Sequence, residues 1–170
     1  MKKLILIIFT TFSLSVFADH HESAPMTTDG AFTTLMIAAT DINKYTETLR
    51  ENPSAFQATG TTGAGVCVTN SGNSYTGQMM VWSAFPDVAT ALTGGTKYDP
   101  QRAPRSFERL REIKYGVTWK PLTPFRLEPG YERVQRIKVS AENLQAFSEG
   151  LNKLESSIKS AGHHNFYNGA

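Results

Sequence analysis

A chain of 170 residues with 40% hydrophobic and 19% charged side chains has a globular composition, long enough for one ordinary domain or two very small ones. Of its 17 basic residues, Lys2 and Lys3 sit at the extreme N-terminus and the other basic residues equal the 15 acidic ones, a balance that argues against nucleic acid as a partner. The single cysteine, Cys67, excludes an internal disulfide, and no apolar run after the first 18 residues is long enough to span a bilayer.

The opening "MKKLILIIFTTFSLSVFADHHE" combines a basic start, an apolar run from Leu4 to Phe17 and small residues at Val16 and Ala18. This pattern predicts a signal peptide over 1–18, cleavage before Asp19, and a periplasmic or secreted protein. Interrupted by Thr10, Thr11, Ser13 and Ser15, the run falls short of the roughly 20 residues of a membrane span. Residues 19–31 read as a mobile N-terminal segment. Its new terminus, Asp19-His20-His21, offers an amine, backbone amides and an imidazole to Cu(II) or Ni(II) in a square plane. The blander and preferred reading of His20 and His21 is a solvated tail.

Residues 32–40, "FTTLMIAAT", predict a strand, after which Asp41 caps a helix with Ile42, Tyr45 and Leu49 on one face. Asn52-Pro53 ends that helix and starts a short second one, with Asn52 as cap and Pro53 in its first position. Gly60, Gly63 and Gly65 lead into a strand around Val66 and Val68, "NSGNS" makes a turn, and "YTGQMMVWSAF" returns as the partner strand. Within that hairpin, Cys67 reads as a small buried hydrophobe. The glycines of "GTTGAGV" precede a strand and lack a following Lys-Ser/Thr, so they read as turn residues and not as a phosphate loop. "PDVATALTGG" predicts a short helix stopped by Gly94, and "SFERLREIKYG" a helical turn or two capped by Ser106. The prolines of "VTWKPLTPFRLEPG" confine that stretch to an edge strand or coil.

Between 101 and 138, ten basic residues meet four acidic ones, a bias we read as a solvated face. "YERVQRIKV" (131–139) alternates and reads as an exposed strand. Ser140 then caps the longest helix, with Leu144, Phe147, Leu151, Leu154 and Ile158 at three- and four-residue steps and Gly162 as its stop. Ile42, Tyr45, Leu49 and Gly60 recur 102 positions later as Leu144, Phe147, Leu151 and Gly162, a spacing that suggests internal duplication. The expected class is α+β: a ferredoxin-like β-α-β-β-α-β unit over 32–128 and an incomplete second unit over 129–170, together an α/β-barrel-like tandem. "HHNFYNGA" would be the second strand of an unfinished repeat, as in a fragment of a longer chain. His163 and His164 read as a surface turn.

The stretch "GQMMVWSAFPDVATAL" and the order of elements resemble the dimeric α/β-barrel superfamily, which includes cofactor-independent antibiotic-biosynthesis-type monooxygenases. The resemblance implies ferredoxin-like units joined edge to edge around an apolar cavity. Tyr45, Met80, Trp82 and Phe147 are then the candidate pocket residues. No catalytic set and no cofactor signature is legible, so the expected function is an exported α+β protein that binds a small apolar ligand or self-assembles through its strand edges. The alternatives are a cofactor-independent monooxygenase-like enzyme shaped around Trp82, and an interaction module using the exposed strand at 131–139.

Overall fold

Side-chain alternation along one central strand sets the architecture. In the computed structural model, which describes residues 29–99, 102–124 and 130–170, β1 (Ala31–Ala39) turns Leu35, Ile37 and Ala39 to one face and Phe32, Thr34 and Met36 to the other. The chain continues through α1 (Ile42–Glu51), α2 (Ser54–Gln57), β2 (Gly63–Val68), β3 (Gln78–Phe85), α3 (Val88–Lys97), α4 (Arg105–Glu108), β4 (Arg111–Trp119), a 3-10 turn (Ala141–Asn143) and α5 (Leu144–Ser160). The four strands are antiparallel in the order β2-β3-β1-β4. The protein is therefore α+β, and the order of elements in this unit is β-α-β-β-α-β, as the sequence predicts. None of the helices among the described residues is long and apolar enough to cross a membrane.

Helices α1 to α4 pack on the Ile37 face. Tyr45 of α1 is fully buried there with Ile37, Ala39, Met79 and Val81, and Leu35, Leu49, Phe56, Val66 and Ile113 close around them. The Asp41 side chain accepts from the Lys44 amide at 2.9 Å, a cap that fixes where α1 starts and contributes about 1 kcal/mol. Asn52 does not cap α2. Its amide side chain instead donates to the Thr48 carbonyl, and Pro53 takes the cap position.

Three further expectations change. Gly94 does not stop α3, which runs on to Lys97; a Cβ at Gly94 would lie 2.6 Å from the Thr59 carbonyl oxygen, so the glycine permits a close approach of helix to loop. The helical reading of 106–116 holds only for α4, which follows Pro104 and not Ser106, because "REIKYG" belongs to edge strand β4. Residues 131–139 form no ladder and are not a strand of the sheet.

The chain's last residues pair with the stretch just after β4. Lys120 and Ala170 exchange backbone hydrogen bonds at 2.9 and 3.0 Å, and Leu122 donates to the Asn168 carbonyl at 2.9 Å. Residues 168–170 of "HHNFYNGA" thus pair with the segment that follows β4. Before them, Gly162 at φ +93° closes α5, with Gly162 donating to Lys159 and His163 to Ile158, the paired bonds of a Schellman cap. The described residues after 130 contain no second sheet. The 102-residue offset therefore matches two helices, of which only α1 sits between paired strands. The predicted leader over 1–18, most of the segment at 19–31, and the unit boundary between 128 and 129 lie outside the described residues.

Two adjacent glycines in α3 should respond oppositely to alanine. Gly95 has nothing within 4 Å of a built Cβ, so Gly95→Ala should stabilise by about 0.5–1 kcal/mol through helix propensity. Gly94→Ala should lower stability by about 1–3 kcal/mol, overpacking against Thr59 outweighing the same gain. Thermal unfolding of the two variants beside the parent reads both signs.

Candidate functional site

The groove beside edge strand β2 is built by one face of α1. Thr46, Leu49 and Arg50 fall at helical steps on that face and look across at Gly63, Ala64, Gly65 and Val66 of β2, with Pro53 at the start of α2 and Phe56 and Gln57 within it completing the wall. The cavity measures about 580 Å³, within the range of small-molecule sites. Its floor is the outer side of the core, since Leu49, Phe56 and Val66 are half-buried against it. At the rim, the hydroxyls of Thr61 and Thr62 are engaged by Thr59 and the Ala84 carbonyl. Arg50 is exposed and, like Gln57, makes no side-chain hydrogen bond or ion pair among the described residues. A smaller cleft of about 220 Å³ between α3 and Thr59-Gly60 is lined by threonine, glycine, alanine and Lys97 and lacks such a floor.

The groove wall also exposes backbone. Thr69 donates to the Gln78 carbonyl in register, so the alternation of an antiparallel pair directs the amides and carbonyls of Gly63, Gly65 and Cys67 toward β3. Those of Ala64, Val66 and Val68 point outward, to an edge that pairs with no strand among the described residues.

The residues anticipated for the pocket are divided between two sides of the sheet. Tyr45 lies under α1 in the core, where its hydroxyl accepts from Arg111 Nη1 at 2.7 Å. Met80 and Trp82 point from β3 to the opposite face, and the Trp82 ring lies over Gly65, where a Cβ would come within 2.5 Å of it. Phe147 is half-buried on α5. The structure unites Met80 with Trp82 only. His20 and His21 lie outside the described residues, and among those described no three His, Cys, Asp or Glu side chains are placed to hold a metal. The groove residues Leu49, Phe56 and Arg50 were not singled out as a site, because a helical stripe reads as core. The available signal was glycine at alternate positions of β2, which marks a strand with little side chain on one face.

That opposite face is crossed by residues 131–139. Cys67, Met80, Met36 and Tyr115 form one row across the four strands. The Cys67 thiol donates to Glu132 Oε1 at 2.9 Å at one end, and the Arg136 guanidinium sits 4.2 Å over the Tyr115 ring at the other. Three strand spacings and four extended residues both measure about 14 Å, so this strap runs across the strands instead of along them. Cys67 is half-buried and hydrogen-bonded, not the enclosed hydrophobe expected. Burial first, then the Glu132 carboxylate, push its thiol up to about 12, and Trp82 as a donor only partly offsets them.

At pH 7 the thiol is therefore protonated and a poor nucleophile. Alkylation by iodoacetamide should be slow at neutral pH and accelerate only as pH climbs toward 12. Glu132→Gln removes a negative charge that opposes ionisation, so its rate at pH 9 should exceed the parent's; an unchanged rate would show that the strap does not touch Cys67 in solution.

No family model matches the chain, and no curated protein matches it. Among solved structures, it is similar to a conserved protein of unknown function from Bacteroides thetaiotaomicron, described as a possible oxidoreductase, at 8% identity over 55% of this chain and 99% of that one, with a TM-score of 0.39. It is also similar to MupZ from Pseudomonas fluorescens, at 12% identity over 65% of this chain and 99% of that one, with a TM-score of 0.38.

Proposed function

We propose that this protein is an exported binding protein whose groove along β2 receives a small apolar ligand. The observation that carries the reading is the groove itself: about 580 Å³, floored by Leu49, Phe56 and Val66 and reached directly from solvent. Apolar surface of that kind favours a ligand by about 25 cal/mol per Å² removed from water, and the few polar groups at the rim would orient it. Export rests on the basic, apolar and small-residue pattern of the first 18 residues. The dimeric α/β-barrel likeness and assembly through the sheets form a second, alternative reading. Their support is the ferredoxin-like strand order and the apolar content of the face carrying Phe32, Met36, Met80 and Trp82.

The neutral fluorescent probe N-phenyl-1-naphthylamine tests the groove. Its emission should rise saturably with the full chain, and Thr46→Trp, which fills the groove from the helix side, should weaken binding about tenfold or more. Unsaturable emission, or equal binding by the variant, would remove the groove as the site. For export, mass spectrometry of the protein recovered from the periplasm or medium should give a mature chain beginning at Asp19.

A further inference from the structure

We propose that the occupant of this groove includes an extended peptide segment of another protein, added to β2 as a fifth strand, with an acidic group placed at Arg50. The inference rests on the groove reading above and names its partner class. Three observations carry it.

The first is the direction of the backbone. Ala64 and Val66, both lining the groove, turn their amides and carbonyls outward, so an added strand finds two donors and two acceptors at strand spacing. The side chains of Val66 and its even-numbered neighbours point to the helix side. A strand laid about 4.8 Å beyond β2 would project every second side chain the same way, onto Leu49 and Phe56 beneath α1 and α2.

The second is an asymmetry between the two sheet edges. β4 carries the usual protections against pairing: its irregular register at Lys114, the Lys114–Glu112 ion pair at 2.7 Å, and Pro121 just beyond it, with the stretch after it covered by the chain's own residues 168–170. β2, "GAGVCV", has no charge and no proline, and its outer edge carries no strand among the described residues. An edge left flat and uncharged beside an apolar groove is suited to accept a strand.

The third is charge. Arg50 stands at the rim as a cation without a partner among the described residues, and no acidic side chain lines the groove. A carboxylate therefore completes it. The strap of a second copy fits poorly, because Arg133, Arg136 and Lys138 would bring like charge to Arg50.

The test is selection of a displayed random octapeptide library on the full chain, followed by titration of the enriched peptides against variants. Enriched peptides should alternate apolar residues and carry Asp, Glu or a free C-terminus. Ala64→Pro removes one outward amide while sparing the β2–β3 ladder, and should weaken peptide binding about tenfold or more. Arg50→Glu, on an exposed side chain that leaves the sheet untouched, should weaken the same peptides and invert their salt dependence. Absence of enrichment, or peptides indifferent to both variants, overturns the peptide proposal while leaving the apolar groove intact. Loss of the probe together with the peptides in Thr46→Trp is expected. Saturable probe binding that survives in that variant would overturn the groove reading instead. A concentration-dependent dimer of the parent that Ala64→Pro makes monomeric would assign the edge to a second copy and overturn the proposal.

Discussion

A buried guanidinium holds α1, α4 and the end of α3 to the sheet. Arg111, at the start of β4, is almost wholly buried on the helix-bearing face, where it donates to the Tyr45 hydroxyl at 2.7 Å and the Tyr98 hydroxyl at 3.0 Å. It also sits 5.8 Å from the centres of the Tyr45 and Phe107 rings. Burial works against a charge, but here the two phenolic oxygens outweigh it and hold the group protonated above its ordinary range. Burial likewise raises Tyr45, which the nearby cation only partly offsets, so the phenol stays neutral and accepts. These contacts fasten α1, the residue after α3, and α4 to one strand. Because α1 forms one wall of the groove, the depth of the site depends on this knot at the other end of the sheet.

The same strand shows why part of the fold was hidden in the sequence. β1 and β3 alternate without interruption, and both were legible, as were Asp41 as a cap and Gly162 as a stop. In β4 the register shifts opposite Met36 and Ile37, so Arg111 and Ile113 face the helices whereas Tyr115, Val117 and Trp119 face the other way. One extra residue reverses the alternation midway, and "REIKYG" then resembles a turn of helix more than half of a strand. Conversely, 131–139 alternates cleanly yet pairs with nothing. Alternation states which faces a segment would have, not whether a neighbouring edge exists.

The last helix was legible as a helix but not in what it buries. The apolar stripe leaves Leu144 and Leu154 half-exposed, and the residue most buried on α5 is Glu155, at 2%. Its carboxylate accepts from Thr123 at 2.7 Å and Asn168 at 2.6 Å and meets the Lys159 ammonium. Three donors from three segments satisfy an acid that would be costly to bury alone. They attach α5 to the terminal strand and to the turn after β4. A period of three and four cannot foresee this, because the anchoring is polar and its donors lie 4, 13 and 32 residues away.

The candidate site inherits its shape from the thinnest strand. Two glycines in β2 cost roughly 0.5–1 kcal/mol each in backbone order relative to alanine, so the edge that faces the groove is intrinsically soft. What stiffens it lies mostly on the opposite face: the Trp82 ring laid on Gly65, and the Cys67 thiol tied to Glu132 of the strap. A larger residue at Gly65 would displace the ring, which is why bulk is absent where an edge strand would usually carry it. β2 thus has a groove against one side and an indole and a strap against the other. The order of the exposed edge, on which any added strand would depend, is set by contacts that the groove itself does not contain.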